Sequence, residues 1–242
     1  MAPLKCMAFA LVTSGLLGSG TAQAVLVDRG LGMLYDTTLN ITWLQDANYA
    51  RTSVYDADGK MTFAQASSWA ANLIYGGFTD WRLPSVSPVN NLNWNYNFSY
   101  NGSTDFAYNI RSPQSELAFM YYVNLNLKGS NSITGQYPQP GYGIFGNGRE
   151  GGQNNVGLVR NLQSASYWTD TAYGPSASGY QMEFDEFDGY QTARANNNLL
   201  YAWAVRDGDV LAPPVPEPQT YAMMLAGLGL LGLWARRKKK SH

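Results

Sequence analysis

The sequence has almost no cysteine and almost no histidine. Its single cysteine is Cys6 and its single histidine is His242, so the chain between them contains neither. This absence excludes a Ser-His-Asp triad, a cysteine nucleophile, a histidine general base, and the usual zinc and copper ligand sets. It also excludes disulfide bonds, so packing must stabilise the fold. Seventeen Tyr, seven Trp and nine Phe are available for that packing.

The first 24 residues have the pattern of an export signal. Lys5 supplies the basic start, Met7–Leu17 the apolar segment, and Ala22 and Ala24 an A-x-A cleavage site. We therefore expect residues 1–24 to be a signal peptide that is removed during export.

The C-terminal tail combines three elements in a fixed order. Pro216, Glu217 and Pro218 form an extended spacer, because proline fixes φ and lacks an N–H. An uncharged apolar segment follows at 221–235. As a helix it would reach about 22 Å, short of the ~30 Å hydrocarbon core of a bilayer. Five basic residues, which favour the cytoplasmic side of a membrane, then follow: Arg236, Arg237, Lys238, Lys239 and Lys240.

This order resembles the PEP-CTERM sorting signal of Gram-negative bacteria. The resemblance implies that an exosortase in the inner membrane recognises and removes residues 216–242, so that the short transmembrane helix anchors the protein only transiently. The expected destination is the cell surface or the extracellular matrix. The alternative is an ordinary C-terminal membrane anchor. The candidate sorting residues are Pro216, Glu217, Pro218, Arg236 and Arg237.

Removing both ends leaves a predicted single domain at 25–210, followed by a Pro-rich linker at 211–215. Without Lys5 and the five basic tail residues, ten Lys and Arg remain. Without Glu217, sixteen Asp and Glu remain, so the net charge of the processed chain is −6. An acidic surface argues against nucleic acid or anionic lipid as a partner.

The first half of the domain is predicted to contain a hairpin and two helices. Leu31–Tyr35 and Ile41–Leu44 are the hairpin strands. Thr62 opens the first helix with a capping box, and Gly76-Gly77 ends it. The second helix is predicted to start with Ser112 as N-cap, followed by a proline at its first position.

The end of the domain is predicted to be β-structure. Tyr180–Asp185 alternates apolar and polar residues, and a turn at Asp188-Gly189 leads into a return strand at Tyr190. Residues 200–205 are apolar on both faces, which predicts one central strand. Trp69, Trp81 and Trp203 are predicted core residues.

Two long stretches, 85–111 and 129–157, have no helix or strand pattern, and loops of this length are usually functional or disordered. Their aromatic rings could stack on sugars while neighbouring amides bond hydroxyls, so Trp94, Tyr96, Tyr100 and Tyr142 are candidate ligand-binding residues. For the first stretch the alternative is a strand with one buried aromatic face. Arg149 and Glu150 nearly cancel, so we expect binding to depend weakly on salt.

Six segments together resemble one bacterial family of unknown function, the Lcl C-terminal-like domain. They are 29–50, 61–70, 76–85, 115–125, 161–169 and 201–210. The resemblance implies an α+β, C-type-lectin-like fold: two helices packed on a mixed, mainly antiparallel sheet, with long irregular loops and the chain ends brought together. The related formylglycine-generating enzymes use cysteines, which this domain lacks. The E-P-N and Q-P-D triplets of calcium-dependent lectins are also missing from 129–157.

The densest acidic cluster is E-F-D-E-F-D at Glu183–Asp188. We interpret it as a solvated strand face and turn. One alternative is a Ca²⁺ site with oxygen ligands from Asp185, Glu186 and Asp188. Another is an acid/base pair for glycoside hydrolysis, although sequence neighbours on a hairpin rarely flank one bond.

Arg82 lies between two apolar residues and is interpreted as a structural charge paired with Glu116, rather than a substrate clamp.

These patterns predict an exported surface or matrix protein that binds exopolysaccharide or another surface ligand, without catalytic residues, metal or cofactor. The first alternative is a structural matrix component without a specific ligand. The second is an enzyme that acts on polysaccharide through carboxylates.

Overall fold

The hairpin predicted at the start of the domain is present, and local turn chemistry explains it. Met33–Asp36 pairs antiparallel with Ile41–Leu44, in the register Met33↔Leu44. The Asp36 carboxylate accepts hydrogen bonds from the backbone N–H groups of Thr38 and Leu39, both at 2.9 Å. Asn40 takes a φ of 54°, a conformation that Asn tolerates better than most residues. The turn is therefore specified by residues within it.

The computed structural model describes residues 26–174 and 179–210. The linker at 211–215 and the candidate processing residues lie outside the described residues: Ala22, Ala24, Pro216, Glu217, Pro218, Arg236 and Arg237. Within the described ranges, no helix is both long and apolar enough to cross a bilayer.

The first predicted helix is confirmed, with an earlier end. Helix α2 spans Phe63–Ala71, and Thr62 caps it in a capping box with Gln65. Its buried residues include Trp69, as the apolar periodicity predicted. The helix stops at Asn72, whose side-chain amide donates to the Ser68 carbonyl at 2.8 Å. The glycines at 76 and 77 therefore follow the helix end and do not cause it. A single turn, α1 at Tyr49–Thr52, precedes this helix and was not predicted.

The second predicted helix exists, but its predicted start is wrong. Helix α3 spans Glu116–Phe119 with Ser115 as N-cap, and a π-helical turn at Met120–Asn124 continues it. The Ser112 hydroxyl instead donates to the Val89 carbonyl at 3.1 Å. That contact, from 23 residues away in sequence, holds the segment in a turn. The N-cap therefore shifts to Ser115.

Thirteen strands occur in the described residues, in three sheets. The strands are β1 Leu26–Asp28, β2 Met33–Asp36, β3 Ile41–Leu44, β4 Lys60–Met61, β5 Phe98–Ser99, β6 Phe106–Tyr108, β7 Gln153–Val156, β8 Val159–Gln163, β9 Ser166–Ala172, β10 Tyr180–Asp185, β11 Tyr190–Ala195, β12 Leu200–Tyr201 and β13 Val205–Asp207. The four-stranded sheet has the order β1-β2-β3-β13, the seven-stranded sheet β4-β12-β9-β10-β11-β6-β5, and β7 pairs with β8. Pairing is antiparallel except for β12 with β9 and β5 with β6. The class is α+β.

The strand predicted at 200–205 is two strands in two different sheets. β12 pairs with β4 and β9, whereas β13 pairs with β3 at the edge of the other sheet. Trp203 lies at the crossing, fully buried, with its indole N–H donating to the Leu44 carbonyl at 2.7 Å. Its ring lies 4.6 Å from that of Trp43. One tryptophan thus joins the two sheets.

The hydrophobic core lies between the sheets and the helices. Trp69, Trp81 and Trp203 are all buried, as predicted. The π-helical turn packs on the seven-stranded sheet, where the Tyr121 ring lies 5.4 Å from that of Phe184.

The two ends of the described domain meet. The Arg29 Nε donates to Asp209 Oδ1 at 2.8 Å, across 180 residues of sequence. Residues near the first and the last described positions are therefore joined by an ion pair.

Candidate functional site

Aromatic side chains cover the β5–β6 edge of the seven-stranded sheet. We call this surface the aromatic edge and define it by eight residues: Trp94, Tyr96, Phe98, Tyr100, Phe106, Tyr108, Tyr173 and Tyr190. Phe98 is the register partner of Phe106, and Tyr108 that of Tyr190. Side chains opposite each other in register lie on one face of a sheet. Strand pairing thus collects rings from four separate parts of the chain.

The first half of the aromatic edge is a stacked pair of rings. The Trp94 and Tyr96 rings lie 5.5 Å apart with an interplanar angle of 7°. Tyr96 also packs edge to face with Tyr173 at 4.8 Å and with Phe106 at 5.6 Å. Trp94 is 37% exposed, whereas Tyr96 is half-buried. Trp94 is therefore the accessible ring of the pair, and Tyr96 connects it to the rest of the aromatic edge.

The second half surrounds Phe98, which is 51% exposed, and Tyr100, which is 39% exposed. These two rings meet edge to face at 4.7 Å. Tyr108 and Tyr190 are stacked at 4.7 Å, and the Phe98 ring lies 5.9 Å from that of Tyr190. The alternative of a strand with one buried aromatic face is wrong here, because these rings remain accessible and only Phe98 and Ser99 form a strand.

A buried carboxylate fixes the loop that carries Trp94 and Tyr96. Asp105 is 1% exposed. One of its oxygens accepts the Val89 N–H at 2.8 Å, and the other accepts the Asn95 N–H at 2.6 Å. Its backbone carbonyl accepts from the Gln191 amide at 2.9 Å. Asp105 was not singled out from the sequence, because both partner N–H groups are ten or more residues away.

Tyr142, the fourth candidate, lies beside the β10–β11 turn. Its ring meets that of Phe187 at 5.9 Å. No ring contact joins it to the aromatic edge in the described part of the chain. The structure therefore brings Trp94, Tyr96 and Tyr100 together and places Tyr142 with the turn.

Two of the four carboxylates in the acidic cluster are buried, so its interpretation as a solvated face is wrong for Glu183 and Glu186, whereas Asp185 and Asp188 are partly exposed. Glu183 is fully buried, and its Oε1 receives the Arg194 Nη2 at 2.8 Å. β10 is a central strand between β9 and β11, and residues 181–184 are buried on both of its faces, so no face of the strand is solvated there. Burial raises the pKa of Glu183, and Arg194 offsets only part of that rise.

The two carboxylates Asp188 and Glu186 differ in their hydrogen bonding. Asp188 accepts the Tyr108 hydroxyl at 3.0 Å, and burial together with the nearby Asp185 charge raises the pKa of Asp188 to about 7. Glu186 is fully buried, and neither carboxylate oxygen has a hydrogen-bond partner among the described residues. Burial raises the pKa of Glu186 well above its usual value.

The metal and acid/base alternatives gain no support from this geometry. No group of three or more Asp, Glu, His or Cys side chains is placed to hold a metal ion within 26–174 and 179–210, and this includes Asp185, Glu186 and Asp188. Glu183 and Glu186 have no exposed surface, so neither carboxyl can reach a polysaccharide.

Arg82 pairs with Glu116, as predicted. Arg82 Nη1 and Nη2 each donate to one Glu116 oxygen at 2.8 Å. Nη2 also reaches Asp207 at 2.6 Å, and Glu116 accepts the Ser85 N–H at 2.7 Å. This network joins the 80–85 segment to α3 and β13, which is a structural role.

Comparison with known families explains the tail. A family model described as the PEP-CTERM protein-sorting motif matches residues 214–240. The motif implies an exported protein that an exosortase recognises, held transiently at the membrane before release to the surface. No curated protein and no solved structure matches the chain.

Proposed function

We propose that the exported domain binds polysaccharide through the aromatic edge, and that exosortase sorting delivers it to the cell surface or matrix where that polymer lies. The observation that carries the proposal is the stacked pair of Trp94 and Tyr96, in which the Trp94 ring is exposed.

The chemistry of the aromatic edge suits sugar rings. Tyr and Trp offer a large rigid contact area at a small cost in side-chain entropy. Contiguous exposed apolar surface on a soluble domain typically marks an interaction site. Asn93 is exposed beside Trp94, and amide groups both donate to and accept from hydroxyls. The site requires no metal and no catalytic group.

The proposal extends to the fold, which we assign to the C-type-lectin-like class with an Lcl C-terminal-like domain. Three features support this assignment: α2 and α3 flank a mixed sheet, the loops at 129–152 are long, and Arg29 meets Asp209 at the chain ends.

The alternative is a structural matrix component without a specific ligand. It predicts adsorption that does not saturate and does not depend on individual rings. No observation favours a carboxylate-dependent enzyme, because Glu183 and Glu186 are fully buried.

The test is a binding isotherm between the exported protein and exopolysaccharide purified from its own cells. We expect saturation, with binding strongly reduced by Trp94→Ala. Tyr55→Ala is the matched control, because Tyr55 is 58% exposed but lies outside the aromatic edge. Linear, non-saturating uptake, or equal binding by both variants, would overturn the proposal.

A further inference from the structure

A cavity of about 330 Å³ opens beside the aromatic edge. It lies between the end of β6 and the loop that follows the π-helical turn. Polar and basic side chains line much of it, among them Asn109, Arg111, Lys128, Ser132 and Gln139. Its volume is at the lower end of the range for small-ligand pockets, which is roughly 300–1,000 Å³.

The two cations of this cavity have no carboxylate partner among the described residues. Arg29, Arg82, Arg194 and Arg206 each form a salt bridge, whereas Arg111 belongs with Arg51, Arg149 and Arg160, which form none within the described ranges. Arg111 and Lys128 differ from those three arginines in lining one cavity together, where their charge is available to an anion from solution.

The Arg111 guanidinium and the Lys128 backbone are held in place, and neither cation is neutralised by a carboxylate among the described residues. Arg111 Nη1 donates to the Tyr122 carbonyl at 2.8 Å, and the guanidinium lies 5.9 Å from the centre of the Tyr122 ring. The Lys128 carbonyl accepts the Tyr121 hydroxyl at 2.7 Å and the Gly143 N–H at 3.0 Å. The backbone of Lys128 is therefore fixed while its side chain is exposed.

The cavity adjoins the aromatic edge at Tyr100. The Asn109 amide donates to the Tyr100 carbonyl at 2.7 Å. On the loop side, Gly135 has a φ of 82°, and a Cβ there would come within 2.9 Å of the Tyr100 ring. A polymer lying across Phe98 and Tyr100 would therefore reach the cavity with its next units.

We infer that the cavity binds the carboxylate of an acidic sugar unit in the polysaccharide that stacks on the aromatic edge. This inference rests on the proposed function and adds the substrate class, a uronate-containing polymer. The planar guanidinium of Arg111 can bind a carboxylate through two hydrogen bonds, and the Lys128 ammonium adds a point charge. The Gln139 and Ser132 side chains can meet the ring hydroxyls.

The net charge of the whole domain affects how it would bind an acidic polymer. A processed chain of net charge −6 repels an acidic polymer at long range. Attraction must then come from the cavity, and exposed ion pairs are screened by salt. This inference therefore predicts a stronger salt dependence than the one expected from Arg149 and Glu150, because Arg111 and Lys128 lie outside that pair.

The test compares polygalacturonate with its methyl ester, which has the same ring but no charge. We expect the exported protein to bind polygalacturonate more tightly, with a preference that declines as salt increases. Arg111→Gln combined with Lys128→Gln should weaken binding to polygalacturonate about tenfold, the sum expected for two partly exposed ion pairs. Binding to the methyl ester should not change.

The matched control is Arg51→Gln combined with Arg160→Gln, which removes the same charge at two exposed positions outside the cavity. It should keep the preference for the acidic polymer. If the double variant unfolds at a lower temperature than the wild type, Lys128→Gln alone is tested in its place. The Lys128 side chain has no hydrogen bond among the described residues, so this change should not affect stability.

The outcomes separate the two proposals. Binding to the cells' own exopolysaccharide without preference for the acidic polymer would overturn this inference and leave the proposed function standing. A preference that survives in the Arg111 and Lys128 variant would also overturn it. Failure to bind any of the three polymers would overturn both.

Discussion

Arg82 and Glu116 form a two-point ion pair, with Nη1 and Nη2 each 2.8 Å from one carboxylate oxygen. The Arg82 side chain is 28% exposed and that of Glu116 10%. The pair connects the segment after α2 to the first turn of α3. It is the long-range contact that the sequence analysis identified by residue.

Arg82→Lys should destabilise the fold, because an ammonium cannot reproduce the planar two-point contact. With the pair partly solvated, we expect a loss of about 1–3 kcal/mol. Arg206→Lys is the comparison, since Arg206 makes a similar contact to Asp80, which is 56% exposed. Arg206→Lys should lose less folding stability than Arg82→Lys. Chemical denaturation of both variants measures the difference, and because Arg206 is itself only 11% exposed, equal losses would show that burial of the carboxylate partner is unimportant.

Trp203→Ala should cost about 3–5 kcal/mol, a large part of the ~5–15 kcal/mol that stabilises an ordinary domain. The indole fills the crossing between the two sheets and is bonded to Leu44. Trp94→Ala removes the same side chain at a partly exposed position and should cost about 1 kcal/mol or less. Thermal melts of the two variants measure these two losses of stability. A fully folded Trp203→Ala protein with a wild-type melt would contradict the packing described for Trp203.

The buried acidic cluster predicts an unusual pH dependence of stability. Burial raises the folded-state pKa of Glu186 and of Asp188, the latter to about 7, whereas unfolded carboxyls titrate near 4. The contribution of these groups is fully present below about pH 4 and is lost as pH rises through the folded-state values, because the folded state then holds protons that the unfolded state has released. Stability should therefore fall between about pH 4 and about pH 7.

Glu186→Gln should flatten this pH profile and stabilise the protein above pH 7, because an amide does not have to take up a proton to remain neutral in the buried site. Glu150→Gln removes an exposed carboxylate and should leave the profile unchanged. Denaturation midpoints across the pH range provide the measurement. Parallel profiles for wild type and Glu186→Gln would show that this carboxyl ionises in contact with solvent.

The sorting tail predicts the mass of the mature protein. Residues 214–240 match the PEP-CTERM motif. We expect protein purified from the surface of its own cells to lack Arg236 to Lys240, because exosortase removes the tail. Intact-mass spectrometry measures this. Mature protein extending to His242 would show that the tail is a permanent anchor.

Helices and hairpins could be predicted from the sequence where the residues that form their hydrogen bonds are close together in the chain. Thr62 and Gln65 form a capping box three residues apart, and Asp36 closes its hairpin through Thr38 and Leu39. Such contacts are contained in the sequence pattern itself, so the elements they form could be predicted.

Contacts between distant segments explain the failures. Ser112 bonds to Val89 and loses its role as N-cap. Glu183 is buried because both faces of the central strand β10 are covered, which the alternation of apolar and polar residues within one strand did not indicate.

The same limit applies to the candidate site. Trp94, Tyr96 and Tyr100 could be selected from composition, because they lie within seven residues. Tyr173 and Tyr190 contact these rings only because the chain folds into a sheet. Arg111 and Lys128 line one cavity although they are 17 residues apart in sequence.

The central claim is that polysaccharide lies on the aromatic edge, and hydroxyl-radical footprinting tests it most directly. The exported protein would be oxidised with and without saturating exopolysaccharide from its own cells, and side-chain modification quantified by mass spectrometry. We predict protection of Trp94, Phe98 and Tyr100, with unchanged modification of Tyr55, which is exposed elsewhere. Unchanged modification of Trp94, Phe98 and Tyr100 in the presence of bound polymer would contradict the account.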